Sequence, residues 1–385
     1  MKPPAPPREE DFTSRLRSPA VAARVGIWLG VCFVIAFVTG LISHEAHVTH
    51  PFIAFPTRPV WLYRVTQGLH VASGTAAIPL LLVKLWTVFP KLFARPPRRV
   101  GELAVESLER GSIAVLVGAA IFQLASGVAN TAQWYPWNFH FRSTHYAMAW
   151  IALGALAVHV AVKLPLIRSV LGAPIESDEH DRAGAAGTAP LSRRALVRGS
   201  LLASAVAVLA TAGATVPWLR RVSVFGVRSG HGPGGIPINK SAHAAGVIAS
   251  ALSTDYRLRV RHGSRELAFS RAQLERLRQR TGALPIACVE GWSASGTWTG
   301  VRLRDLLDLV GAPRGRDVRF TSLQQHGPYA VTTLPSQFAD DPLTLVALGL
   351  NGDPLAIDHG YPCRLIAPDR PGVFQTKWLE QVEVL

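Results

Sequence analysis

Five stretches of the chain are long, apolar and almost free of charge: Val25–Ser43, Val65–Val83, Gly111–Phe141, Ser143–Val162 and Gly199–Val216. A helix that crosses a bilayer needs about 20 apolar residues, within a range of about 17–25. The third stretch is too long for one span. It divides into a helix over 111–129 and the loop Gln133-Trp134-Tyr135-Pro136-Trp137, whose aromatic rings suit a membrane–water interface. Beyond Trp218 the apolar runs shorten, and Gly and Pro interrupt them. Tyr256–Val260 alternates like a half-buried strand, and Ser270–Gln279 spaces Leu274 and Leu277 as a helix does. Thr299–Val310 reads as a strand end followed by a helix with Leu303, Leu306, Leu307 and Val310 inward. Cys363–Ala367 and Trp378–Leu385 return to a strand pattern. The expected fold class is an all-α membrane bundle of four helices with a fifth anchoring helix, followed by an α+β, mostly β, domain. The expected boundaries are an N-terminal segment 1–24, a four-helix domain 25–168, a linker 169–198, a fifth helix 199–218 and a C-terminal domain 219–385.

Charge gives this pattern an orientation. The chain has 385 residues with 40 Lys/Arg against 25 Asp/Glu, a formal charge of +15, yet only 17% of residues are charged and 49% are hydrophobic. Soluble domains average about 25% charged residues. The hydrophobic fraction excludes a disordered chain, and three cysteines exclude a disulfide scaffold. The segment before the first helix, the loop between helices two and three, and the segment between helices four and five hold sixteen Lys/Arg, against three in the alternate loops. By the positive-inside rule those three regions are cytoplasmic, and the domain after the fifth helix is extracytoplasmic. The expected location is a bacterial cell membrane, spanned several times, with lipid as a partner. Nucleic acid is not needed to explain the charge. Ser192-Arg193-Arg194-Ala195-Leu196, placed before a weakly apolar helix, resembles a twin-arginine export signal at an internal position. Such export implies that the C-terminal domain folds around a cofactor in the cytoplasm before crossing.

Ionisable residues inside an apolar bundle are candidates for function. His70 lies near the outer end of helix two and His145 at the outer end of helix four. His159 follows His145 by fourteen residues, a rise of roughly 21 Å that returns to nearly the same helix face. A b-type haem needs two neutral imidazoles facing one another, and His70 and His145 stand at matching depth. His44, His47 and His50 mark the end of helix one, where interfacial histidines or a substitute ligand are expected. The arrangement resembles the prokaryotic four-helix cytochrome b family that serves hydrogenases, formate dehydrogenases and other reductases. That resemblance implies an outer haem b between His70 and His145. It also implies a second haem at His159, with a partner on helix one. The inner end of helix one, Arg24-Val25-Gly26-Ile27-Trp28, contains no histidine, so His159 is an unpaired relic, a quinone-site residue or a ligand whose partner the sequence does not name.

In the C-terminal region the chemistry centres on Ala287-Cys288-Val289-Glu290-Gly291-Trp292-Ser293, followed by Trp298-Thr299-Gly300-Val301. A lone cysteine there is either a small buried hydrophobe or a thiolate ligand for a soft metal. A Cys288–Cys363 disulfide is a third option. A second block reads Leu350-Asn351-Gly352-Asp353-Pro354-Leu355, Asp358-His359-Gly360-Tyr361-Pro362-Cys363-Arg364 and Lys377-Trp378. Both blocks, in this order, resemble the sulfite-oxidase type of molybdopterin-dependent oxidoreductase over residues 235–385. The resemblance implies that Cys288 is the protein ligand to molybdenum. It also implies that Asn239, Asn351, His359, Arg364 and Lys377 contact the pterin, with Arg364 and Lys377 neutralising its phosphate. Arg302 and Arg304 are expected to be solvated surface charges.

The sequence reading is thus a membrane-bound redox enzyme. Electrons pass between quinol, haem b and an extracytoplasmic molybdenum–molybdopterin centre, and a small-molecule or protein-bound S- or N-oxide is reduced by oxygen-atom transfer. The direction rests on analogy with methionine sulfoxide reductase systems. Two alternatives stand beside it: sulfite-type oxidation with electrons flowing inward, and a non-enzymatic haem-binding sensor or scaffold with a degenerate pterin domain.

Overall fold

A computed structural model describes residues 7–48, 51–94, 100–182, 185, 191–226 and 232–385. Lys2, His50, Arg95, Arg98, Arg99, His231 and parts of the 169–190 linker lie outside the described residues. The chain divides into two compact units, Met1–Gly40 with Leu69–Thr211, and Leu41–Gly68 with Ala212–Leu385.

The first unit is helical. The long helices are α1 (Pro19–His47), α2 (Leu62–Val88), α3 (Val100–Thr131), α4 (Phe141–Gly172) and α5 (Arg193–Thr211). All five expected helices form, and each is long and apolar enough to cross a membrane. α1 to α4 run past their apolar windows into polar flanks. Apolarity reports the length that suits hydrocarbon, whereas backbone hydrogen bonding continues until a cap or breaker ends it. Val21, Val25 and Leu80 form a small buried cluster joined by Leu196, Val197 and Leu201. Buried polar groups are satisfied across helices, as burial requires. Arg24 donates to the carbonyls of Val170 and Ala173, and Ser204 donates to Ala76 O. Arg193 is fully buried, pairs with Asp181 and donates to the carbonyls of Arg15, Ile175 and Ser177. Arg194, its neighbour, is exposed. One arginine of the pair therefore has a structural role within this unit.

The second unit is mostly β. Its strands are β1 (Leu258–His262), β2 (Arg265–Phe269), β3 (Gln279–Ala287), β4 (Ser293–Arg302), β5 (Val318–Ser322), β6 (Val331–Leu334), β7 (Leu345–Leu350), β8 (Asp353–Pro354), β9 (Arg364–Ile366) and β10 (Leu379–Val384). One sheet has the order β2-β1-β10-β5-β6, with β1 and β10 parallel. The other has the order β3-β4-β7-β8, with β9 on β7. Helix Leu303–Leu309 buries Leu303, Leu306 and Leu307 in a core shared with Val260, Phe320, Val346 and Val382. Ala46, Phe55 and Tyr63 belong to that same core. This is why 41–68 groups with the C-terminal strands rather than with the helices on either side of it in sequence.

One expectation is corrected here. Arg304 is not a solvated charge: it is 1% exposed, pairs with Asp308 and Asp340, and donates to Ala312 O at 2.6 Å and Pro313 O at 3.3 Å. Its acidic partners lie one turn along the helix and on a separate loop, a convergence that the local sequence does not display. Arg302 is half-buried and lies 3.6 Å from Asp305. Arg304→Met should lower the stability of this unit by about 1.5–3 kcal/mol, the usual worth of charge-assisted hydrogen bonds, read as a lower thermal midpoint. Of the options for the cysteines, the disulfide is not formed: Cys288 and Cys363 are both free thiols. Cys363 lies 3.1 Å from Tyr256 Oη, and burial pushes its pKa up to about 12, so it stays protonated.

Candidate functional site

Cys288 sits in the turn of the β3–β4 hairpin. Ala287 pairs with Ser293 at the end of the ladder, and Cys288 N–H donates to Trp292 O at 2.9 Å, closing a three-residue loop. Gly291 donates to Cys288 O and has φ +82°, the left-handed conformation that ends such a loop and that glycine adopts without strain. Cys288 is 1% exposed and packs with Ile236, Ile286, Trp298 and Ile366. Trp292 Nε1 donates to Glu290 at 3.0 Å, which fixes the glutamate at the turn.

A cationic cluster belongs to the same core. Arg364, at the start of β9, is buried and stacks 5.1 Å over Trp298, which belongs to the same buried cluster as Cys288. It donates to His359 O at 3.0 Å and Gln375 O at 2.9 Å. Burial lowers its pKa only to about 9, so it remains charged. Lys377 donates to Asn239 Oδ1 at 3.1 Å and Asp358 O at 3.0 Å, and to Lys240 O. Burial first, then the Arg364 charge, push its ammonium down to about 7, against the opposing pull of Asp358 and Cys288. His359 is also buried, and burial with Arg364 beside it holds its pKa near 4, so it is neutral at pH 7. Its Nε2 lies 2.6 Å from Pro233 O. A carbonyl only accepts, so Nε2 carries the proton and Nδ1 is left as an acceptor. Arg271 donates to Pro362 O and Leu348 O and stacks on Tyr361, buttressing the loop from His359 to Arg364.

Asn239, His359, Arg364 and Lys377 are thus brought together. Asn351 is used differently. With Gly352 it forms the two-residue β7–β8 turn, at φ +53° and +94°, the Asn-Gly signature of a tight hairpin. Its side-chain amide accepts from Thr297 N at 2.8 Å and donates to Gly234 O at 2.7 Å. It therefore braces the 233–235 loop against which His359 also bonds. The donor set suits a phosphate-bearing ring: a buried guanidinium and ammonium adjoin a neutral imidazole, with Asp358 and Cys288 as the acidic groups that act on Lys377.

The helical unit holds a second constellation. The rings of His70 and His145 meet edge to face, with centroids 6.2 Å apart and planes at 67°. His70 Nδ1 lies 2.8 Å from Ala36 O, which only accepts, so Nδ1 carries the proton. His145 Nδ1 lies 3.1 Å from Ser126 Oγ, whose own hydrogen points to Gln123 O. Both Nε2 atoms therefore keep their lone pairs, the arrangement by which outer partners orient metal-ligating imidazoles. Gly40 and Gly127 stand against the two rings, where a Cβ would come within 3.2 Å of His70 and 3.9 Å of His145. His159 is half-buried, and its charged neighbours are Lys84, Lys163 and Glu109 rather than a second imidazole. Lys84 donates to Ala22 O at 2.9 Å and fills the space beside Gly26.

Residues 245–385 match the family model described as an oxidoreductase molybdopterin binding domain. The chain is 33% identical over 113 residues to a sulfite oxidase of Arabidopsis thaliana, covering 25% of this chain and 29% of that protein. It is 36% identical over 110 residues to a protein-methionine-sulfoxide reductase catalytic subunit of Xanthomonas campestris, covering 25% and 34%. It is 33% identical over 97 residues to a putative protein-methionine-sulfoxide reductase subunit of Azospira oryzae, covering 25% and 36%. The chain thus spans about a third of the length of these relatives. Residues 245–385 form a molybdopterin-binding oxidoreductase domain, related to those of sulfite oxidase and methionine sulfoxide reductase.

Proposed function

We propose that the protein is a membrane-spanning oxidoreductase that carries electrons from quinol through one haem b to a molybdenum–pterin centre and there reduces an S- or N-oxide. The observation that carries this reading is the placement of Cys288 in a tight hairpin turn, in one core with Trp298, over which the buried Arg364 is stacked. A molybdenum–pterin group supplies two-electron oxygen-atom transfer when bound. Cys288 is its metal ligand, a soft thiolate for a soft metal. Arg364 and Lys377 neutralise its phosphate, and Asn239 orients Lys377. His359, neutral and with Nδ1 accepting, bonds to the ring. Asn351 contributes by holding the 233–235 loop. Reduction of one sulfoxide takes two electrons and two protons and releases water, and burial of the Cys288 turn keeps bulk solvent from the thiolate.

His70 and His145 hold the haem, each through Nε2. Lys84 fills the space beside Gly26 at the inner end of helix one, which favours one haem per chain over two. The charge asymmetry supports cytoplasmic ends for the basic segments and an extracytoplasmic C-terminal domain, exported with the aid of Arg193 and Arg194. Substrate direction follows the two sulfoxide reductase relatives. The test is turnover by the full-length protein. Reduced methyl viologen with methionine sulfoxide should give steady oxidation of the viologen. Turnover only with sulfite and an electron acceptor would reverse the direction, a reading that the sulfite oxidase relative favours.

A further inference from the structure

The loop between β9 and Lys377 is braced along its length. Gln375 accepts from Ala367 N at 2.7 Å and donates to Ala367 O at 2.8 Å and Arg370 O at 3.3 Å. Arg370 is buried, donates to Thr333 O at 3.0 Å, and stacks on Phe338 and Phe374. Pro371 bridges to Ala287, the residue before Cys288, and a Cβ at Gly372 would come within 3.2 Å of Ala287 O. The loop is therefore set firmly against the base of the Cys288 hairpin.

Asp369 is the costly residue of this loop. It is 3% exposed and has φ +54°, and among the described residues its Oδ2 is buried without a partner. A left-handed backbone strains a residue other than glycine, and a buried unpaired oxygen loses its hydration without return. Burial also pushes its carboxyl up to about 7. All three features weigh against the folded state. One bond stands on the other side: Oδ1 accepts from Tyr63 N at 2.6 Å. Tyr63 is the second residue of α2, where N–H groups have no partner within the helix and a carboxyl group is favourable. The next residue, Arg64, donates to Ser293 Oγ at 2.6 Å, and Arg220 donates to Ser293 O at 3.3 Å. Ser293 pairs with Ala287, so both members of that rung are tied to the first turn of α2. Tyr63 stands seven positions before His70 on the same helix, about two turns.

We infer that Asp369 is a positioning residue for electron delivery: it fixes the first turn of α2, the helix that carries His70, to the loop that abuts Ala287 and Cys288. This inference rests on the reading of His70 as a haem ligand and Cys288 as the molybdenum ligand. Reduction of one sulfoxide draws two electrons singly through the haem, so the setting of α2 is used twice in each turnover. Asp369 itself takes up neither electron nor proton in this role. Strain held by its surroundings, in exchange for one bond to the electron-carrying helix, is the pattern of a residue retained for placement rather than for stability.

The test uses the full-length protein in detergent and two variants. Asp369→Gly removes the acceptor and relieves the left-handed backbone. Asp369→Asn keeps an acceptor on a side chain that tolerates that backbone. Hydrogen exchange at the Tyr63 amide should quicken by at least about tenfold in Asp369→Gly, the effect of one lost bond to a charged acceptor, and should return close to wild type in Asp369→Asn. Quinol-driven turnover should fall by a similar factor in Asp369→Gly and recover in Asp369→Asn. Viologen-driven turnover, haem absorbance and molybdenum content should stay at wild type in both. A residue that only supports the fold would lower both activities together, and that result overturns the proposal. Tyr63 exchange or quinol-driven turnover that is the same in Asp369→Gly and wild type also overturns it. Wild-type protein without turnover from either donor would instead be a failure of the enzyme reading, and the exchange measurement would still decide whether Asp369 holds α2.

Discussion

Cys288→Ser should abolish oxidoreductase turnover while the haem absorbance stays at its wild-type position and intensity. Serine fits the site: Cys288 is 1% exposed, and the hairpin is closed by backbone bonds from Cys288 and Gly291 that do not involve the sulfur. The change is therefore chemical. A hydroxyl is a hard, weakly acidic ligand where the proposed metal calls for a soft thiolate. Loss of an outer partner to a metal ligand costs about 10–100-fold, so removal of the ligand itself should exceed about 100-fold. Activity within tenfold of wild type would remove Cys288 from the site. Cys363→Ser is the control. Cys363 is bonded to Tyr256 and held protonated by burial, and its replacement should leave turnover in place.

His70→Ala or His145→Ala should remove the b-type absorbance band, and either change alone should suffice. Each imidazole is fixed by its Nδ1 contact, His70 to Ala36 O and His145 to Ser126 Oγ, and the ring centroids lie 6.2 Å apart. Neither variant disturbs the hairpin or the Arg364 cluster, so molybdenum content should stay the same while quinol-dependent activity falls to background. Viologen-dependent activity should survive. An unchanged spectrum in both variants would exclude this pair as ligands. His159→Ala, by contrast, should leave the band intact, because Lys84 rather than an imidazole is among its neighbours.

Much of this was legible in the sequence, for physical reasons that differ from element to element. The five helices follow from apolar length, the strongest signal a chain carries. The approach of the His70 and His145 rings agrees with their matching depth in helices two and four. The strand pattern at Cys363–Ala367 and Trp378–Leu385 reappears as β9 and β10. What escaped depends on contacts between residues distant in the chain. Ala36 O is a backbone acceptor on another helix, invisible to a reading of side chains. Ser126 could have been suspected, as a lone hydroxyl in an apolar helix. Arg304 reads as a surface charge because its partners converge from a loop. Asn351-Gly352 could have been read as a hairpin turn before any ligand role was assigned. Arg64 and Arg220 lie 229 and 73 positions from the Ser293 atoms they touch, and no local pattern joins them. The segment 41–68 sits between two apolar spans in sequence but shares its buried Phe55 and Tyr63 with the strand core.

The central claim is that one chain holds both a haem and a molybdenum centre. Its most direct test is the haem and molybdenum content of a single preparation of full-length protein, expressed with ample molybdate. The expected result is one haem b and one molybdenum per chain. A preparation with haem but no molybdenum would contradict the claim.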